Sequence, residues 1–307
     1  MLGRSRHSDA AGASDSSVTA PEYPPPVKYG LGVLNFWTLG EPAMIQRIAR
    51  EAEDAGWDGL FTWDHVSATW EANGVAIYDP WILLAGAACV TERLVLGTTT
   101  PVPRRRPHVL AMQVATLDHL SKGRATMGVG LGGEEGDFVR FGESFDAKRR
   151  ASMLDEALEV ITALWSGEVV HHRGEHYVVD GVRNLLGPYG DGRSRVPVIV
   201  GGDSRPARRR AARWDGWSTG IVGDPRGTVT VSPSALAAKV EYVLEHRVSE
   251  EPFDVIVEGY SDAGQAGVDL VGSYADSGMT WWCDSINGLR APVDALLDRI
   301  AAGPPQL

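Results

Sequence analysis

A buried-looking run in this chain ends on three side chains able to do chemistry. The stretch LFTWDHVSATW, residues 60 to 70, opens apolar and then presents Asp64, His65 and, a little further on, Trp70. A loop that only had to turn would use Gly, Asn or Pro. An acid beside an imidazole suits proton transfer, because an imidazole titrates near neutrality and a carboxylate can orient its ring. The plainer alternative is a polar cap on a strand loop.

Glycine marks two other candidate sites. GVGLGGEEG, residues 128–136, carries Gly128, Gly130, Gly132 and Gly133, which let backbone approach a flat ligand and offer it N–H groups. Its spacing is G-x-G-x-G-G, with no acidic ribose partner at the usual distance, so it is not a dinucleotide fingerprint. VIVGGDSRPARR, residues 198–209, sets Gly201 and Gly202 after a strand, with Asp203 or Ser204 capping the helix that follows. A helix start of this kind binds phosphate, and Arg205, Arg208 and Arg209 add charge. The alternative is a tight turn. In TPVPRRRPH, residues 100–108, three arginines either reach an anionic cofactor or substrate or form a solvated loop. HHRGEH, residues 171–176, has no second ligand cluster elsewhere and reads as a hairpin surface, with no metal expected.

These residues need a frame. Short apolar runs recur at 29–37, 59–63, 93–100, 124–132, 196–202, 216–223, 253–260 and 279–286. Helical spacing follows each. After the first, Met44, Ile45, Ile48, Ala49 and Ala52 share a face, with Pro42 at the start and Gly56 just past the end. The other helical segments are 79–90, 107–120, 147–165, 205–214, 233–247, 264–277 and 291–302. Near-continuous apolar strands are buried on both faces. Eight strand–helix units therefore predict an α/β fold, a (β/α)8 TIM barrel, over a doubly wound open sheet. Insertions follow strand 4 (133–146) and helix 4 (167–195), the second holding a hairpin that turns at Arg173-Gly174. In such barrels chemistry sits at the C-terminal ends of the strands. Those positions hold Asn35, Asp64 and His65, Thr98 to Pro101, Gly128 to Gly133, Gly201 to Ser204, Gly220 to Gly223, Glu258 and Asp284.

Composition narrows the classes. The chain has 307 residues, 43% hydrophobic and 22% charged, with a net charge of -11. That acidity argues against nucleic acid or an anionic membrane as partner. Cys89 and Cys283 cannot build a disulfide framework, which fits a cytoplasmic location. No apolar run approaches the ~20 residues that span a bilayer. Residues 1–28, rich in Ser, Ala, Asp and Pro and without an apolar signal core, read as a disordered leader. Residues 29–307 read as a single barrel domain.

The ordered set AEDAGWDGLFTWDHV, RLVLGTTTPVPRRRPHVLAMQVATLDHLSKGR, GVGLGG, MLDEALEVITALWSGE, RGEHY, VPVIVGG, AARWDGW and GMTWWCDSI resembles the bacterial luciferase-like superfamily of flavin- and deazaflavin-dependent oxidoreductases. The resemblance covers nearly all of 29–307. It implies a (β/α)8 barrel, a homodimer, and FMN or the deazaflavin coenzyme F420 across the C-terminal mouth. It also implies a small-molecule substrate and, for a monooxygenase, a separate flavin reductase. Catalytic roles fall to Asp64, His65, Trp70 and Glu134. His65 acts as base or proton donor, Asp64 orients its ring, and Trp70 stacks on substrate or flavin. Cofactor contacts fall to Asn35, Thr98, Thr99, Gly128, Gly130, Gly132, Gly201, Gly202, Asp203 and Ser204, with the phosphate on Gly201, Gly202 and Ser204. Among the deazaflavin-dependent sugar-phosphate dehydrogenases the acid after the glycine stretch falls where this chain has Gly133, with Glu134 next, and Trp70 is shifted by one. Hydride transfer, monooxygenation and a non-catalytic flavin-binding protein all remain open.

Overall fold

Eight parallel strands close into a ring because each is apolar on both sides and needs a helix outside and packed side chains inside. The structure, a computed structural model, describes residues 26–67, 74–190, 192–220 and 228–307. The ring runs β1 (Lys28–Val33), β10 (Trp281–Ile286), β9 (Asp254–Gly259), β8 (Gly216–Thr219), β7 (Val198–Gly201), β4 (Ala125–Gly130), β3 (Val95–Pro101) and β2 (Gly59–Thr62), back to β1. β5 (Val169–Arg173) and β6 (Val178–Arg183) form an antiparallel hairpin outside it. Lys28 already pairs with Trp281, so the barrel begins inside the segment read as a leader.

The helices carry the punctuation their sequences predict. α1 (Pro42–Asp54), α2 (Pro80–Ala88), α3 (Pro107–Leu120) and α7 (Pro233–Glu245) all start on proline, whose missing N–H is not needed there. Asp79 caps α2 by accepting from the Trp81 and Ile82 N–H groups. α5 (Ala147–Trp165) matches its expected span, while α6 (Arg205–Ala211) stops short. α8 (Gln265–Ala275) and α9 (Val293–Ala301) complete the outer layer. The insertion after β4 contains one short helix, α4 (Gly136–Val139).

The first apolar run does not continue as strand to Trp37. β1 stops at Val33, and a 3-10 turn at Thr38–Gly40 follows. A Cβ on Gly40 would lie 2.5 Å from the Asn35 carbonyl carbon. That contact folds the chain back on itself and leaves Trp37 at φ 55, a costly angle for a bulky residue.

Strand parity sorts the side chains. Tyr29, Leu31 and Val33 face the helices and join the main core. Phe61, Ile199, Ile256, Trp281 and Cys283 face inward as a separate cluster. Phe61 fills the barrel base because three neighbouring positions are glycine. A Cβ on Gly30, Gly59 or Gly97 would fall 2.6, 2.9 or 3.3 Å from its ring.

Two motifs prove to be struts. Arg124 donates to the carbonyls of Ser121, Leu94 and Thr91, tying the end of α3 to the loop entering β3. Asp118 accepts from the Tyr189 N–H and from Arg193. Asp284, on the outward side of β10, pairs with Arg299 at 2.5 Å and accepts from Ser261 and Trp282. Burial pushes its carboxyl up against the pull of these partners. It latches α9 and the end of β9 onto the barrel rather than serving the mouth.

Candidate active site

Above the Phe61 floor the barrel holds a small hollow of about 40 Å³, lined among others by Gly32, Trp63, Thr98, Gly128, Glu258 and Cys283. It exists because the upper strand positions carry small residues. A Cβ on Gly32 would crowd Glu258 Oε1 at 3.0 Å, and one on Gly128 would meet the Thr98 carbonyl oxygen at 2.7 Å. The hydroxyls of Thr62 and Thr98 are buried without hydrogen-bond partners. Both threonines stand in the register row of Val33, Met127 and Val198, on the helix side of the wall.

Glu258 is the carboxyl that lines this space. Parity on β9 points it inward beside Cys283, its register partner on β10. The Trp63 indole N–H donates to it at 3.0 Å. Enclosure raises its pKa from 4.5 to about 7, and the Trp63 bond offsets only part of this. Such an acid exchanges its proton near neutral pH. The strand-end reading reached Glu258 but assigned it no role.

The acid–imidazole pair is wired differently from the expectation. Asp64 does not orient His65. Its carboxylate is fully buried, 2.8 Å from Arg105 and 3.1 Å from Arg104. Arg104 also binds the Asp64 carbonyl oxygen. His65 instead turns its Nδ1 to Asp137 at 2.9 Å. The physical reason is competition: two guanidiniums on the adjacent β3 loop take both Asp64 oxygens. Asp137 comes from α4, 72 residues along the chain. It also accepts from the Val66 and Ser67 N–H groups and lies 3.5 Å from Arg104. With Nδ1–H directed at a carboxylate, Nε2 is the ring's acceptor nitrogen. Trp63 and Phe36 flank the ring at 5.7 and 5.9 Å.

The other expected residues divide. Asn35 donates to the His65 and Tyr78 carbonyls and accepts from the His65 N–H. Its amide therefore fixes the rim loop and positions His65. Thr98, Thr99 and Gly128 line the hollow. Gly130 extends the same wall, where a Cβ would lie 3.8 Å from the Thr99 methyl, and one on Gly201 would lie 3.3 Å from it. Gly132 takes φ +84 and lies against Phe138. Gly202, at φ +126, donates to the Ser218 carbonyl and accepts from the Trp217 indole. Ser204 caps α6 through Ala207, and Asp203 pairs with Lys239 at 2.7 Å. The arginines of α6 turn away from the strand end. Arg205 and Arg208 lie over the Tyr242 ring on α7, and Arg209 donates to its hydroxyl. Positions 205, 208 and 209 share one helix face, and that face meets α7. The Glu134 side chain makes no hydrogen bond or ion pair among the described residues, while its carbonyl accepts from the Asp137 N–H. Trp70 lies outside the described residues. In the hairpin, His172 bonds Glu156 at 3.0 Å and His176 meets the Ser152 hydroxyl at 2.7 Å, docking it on α5.

Comparison with known proteins follows the same outline. The family described as luciferase-like monooxygenase matches residues 25–256. An uncharacterised protein of Mycobacterium tuberculosis is 28% identical over 264 residues, spanning 80% of this chain and 84% of its own length. An F420-dependent glucose-6-phosphate dehydrogenase of Nakamurella multipartita is 34% identical over 194 residues, 62% of this chain and 55% of that protein. The fold matches a solved F420-dependent secondary alcohol dehydrogenase with TM-score 0.73 at 18% identity, covering 91% of this chain and 98% of that one. No helix among the described residues is long and apolar enough to cross a membrane.

The wiring of the rim predicts unequal sensitivities. Asp64→Asn leaves two enclosed guanidiniums without their countercharge and is expected to cost about 3–5 kcal/mol. Glu134→Gln is expected to stay within about 0.5 kcal/mol of the parent. Urea denaturation of the two variants beside the parent measures both.

Proposed function

The chain belongs to the luciferase-like monooxygenase family, and on that footing we propose that it is an oxidoreductase transferring hydride between a small organic substrate and the deazaflavin F420, with FMN the competing cofactor. The observation that carries this reading is a hollow at the strand ends that holds a proton-exchanging carboxyl, Glu258, with a carboxylate-fixed imidazole, His65, nearby at the end of the adjoining strand. When bound, the cofactor supplies a flat ring that accepts or returns a hydride.

The residues fit such a ring. Gly128 presents bare backbone to the hollow, Thr99 lines it beside that glycine, and Gly201 lies against the Thr99 methyl. Gly130, Gly132, Gly202 and Asp203 frame the same rim, and Ser204 with the neighbouring Lys239–Asp203 pair offers a place for the phosphate end. His65 takes the substrate's proton at Nε2, with Asp137 stabilising the imidazolium that results. Glu258 holds a second proton inside the hollow, steadied by Trp63. Asp64 holds Arg104 and Arg105 in place and reaches His65 only through Arg104 and Asp137.

We also assign the active unit as a homodimer formed through α2 and α3. Ile82 on α2 is 69% exposed and Met112 on α3 is 48% exposed, two apolar side chains turned to water.

The function is tested by titrating the purified full chain with oxidised F420 and with oxidised FMN under matched conditions. Micromolar binding of F420, tighter than FMN, is expected; binding of FMN alone overturns the deazaflavin assignment. Glu258 is tested through stability. Below pH 4.5 folded and unfolded chains both hold its proton. Between 4.5 and about 7 the unfolded chain loses it first, so this group's contribution falls as pH rises and is gone above about 7. The loss amounts to at most about 3 kcal/mol. Glu258→Gln is expected to gain stability relative to the parent from pH 4.5 to 8, read by urea midpoints across that range. Light scattering of the parent is expected to give a dimer mass, and the double variant Ile82→Glu, Met112→Glu a monomer mass.

A further inference from the structure

A second hollow of about 480 Å³ lies beside the mouth, between the loop after β3 and the first turns of α5. It is lined by arginines in a chain whose net charge is -11. Arg150 forms a fixed wall. It donates to the carbonyls of Leu131, Gly132 and Phe145 and lies 3.9 Å over the Phe145 ring. Arg104 is different. Its side chain is only 6% exposed, yet among the described residues Nε has no hydrogen-bond acceptor and Nη1 has only the Asp137 carboxylate, at ion-pair distance of 3.5 Å. The buried Tyr177 hydroxyl opposite is also unpartnered. Arg106 and Arg149, exposed at the entrance, have no acidic partner within ion-pair distance among the described residues. Asp64 and Asp137 hold Arg104 from its far side. Glu143 is the acid among the lining residues, and burial pushes its carboxyl up despite Arg104.

Buried donors left unmade are costly, and a guanidinium's missing partner is an acceptor. Arg149 sits in the first turn of α5, where the helix dipole disfavours a cation. One occupant resolves both conditions. We propose that this hollow is a binding site for a small polyanion, the phosphate or clustered carboxylates of a small-molecule ligand, held by Arg104, Arg106, Arg149 and the Tyr177 hydroxyl. Planar guanidiniums suit such oxyanions through paired N–H bonds. Arg104 carries the site's occupancy toward the mouth, because its other face grips Asp64 and lies 3.5 Å from the Asp137 that holds His65.

The site stands on these donors and does not require the redox reading. The test titrates inorganic pyrophosphate into the full chain in a phosphate-free buffer, by calorimetry, with sodium chloride of matched ionic strength as control. The same titration is run on the exposed double variant Arg106→Ala, Arg149→Ala. Pyrophosphate is expected to bind the parent, with affinity at least tenfold weaker in the variant and the ligand-free melting temperature unchanged. No heat beyond the salt control up to millimolar pyrophosphate, or equal affinity in parent and variant, overturns the proposal. The source of the anion is read from cofactor titrations of both proteins. Weaker F420 or FMN binding in the variant, with competition by pyrophosphate, assigns the hollow to the cofactor's charged end. Unchanged cofactor binding, with pyrophosphate still bound to the loaded protein, assigns it to an anionic substrate.

Discussion

The site depends on a carboxylate with no access to water. Asp64 is enclosed where β2 gives way to its loop, and Arg104 and Arg105 compensate for its charge from the neighbouring loop. Exposed ion pairs contribute little to stability. An enclosed one is different in kind, because neither member tolerates losing the other. The pairing draws the β3 loop across the top of the barrel and holds it there. Arg104 thereby reaches Asp137, and Asp137 fixes both the His65 ring and the backbone of residues 66 and 67. Asn35 secures the same loop from the other side through the His65 backbone. Acid, guanidinium, acid and imidazole form one chain of contacts across three strand ends.

Beneath that rim the barrel is filled asymmetrically. Phe61 occupies space ceded by three glycines on β1, β2 and β3, with Trp281 meeting it edge-on at 5.8 Å. The residues above include glycine, threonine, Trp63, Cys283 and one acid. The depth of the hollow is therefore set by a single aromatic layer, and its walls are largely backbone. Glu258 owes its proton affinity to the same geometry, since water has little access from below.

Much of this architecture is legible in the chain. Apolar runs with helical segments between them announce the barrel, and proline and aspartate mark helix starts such as those of α2 and α3. The TLDHLSKGR stretch is distinctive for a structural reason, supplied by Asp118 and Arg124. Other features are hidden for identifiable causes. Asp137 lies in an insertion with nothing nearby to mark it as the partner of His65. Glu258 and Asp284 both end strands, yet one faces the hollow and the other the helices. Buried strands apolar on both faces erase the alternation that would have separated them. The arginines of α6 looked ready for a phosphate, but their common face belongs to Tyr242. Strand length at β1 was overread because the local pattern gives no sign that Gly40 folds back onto Asn35.

Cys283 shares the hollow with Glu258, and burial with that neighbour pushes its thiol far up. Sulfur attacks peroxides as the thiolate. A thiol held protonated at the centre of a redox barrel is consequently slow to be oxidised. The barrel can keep a compact, polarisable atom against its chemistry without that atom becoming the first casualty of stray oxygen species.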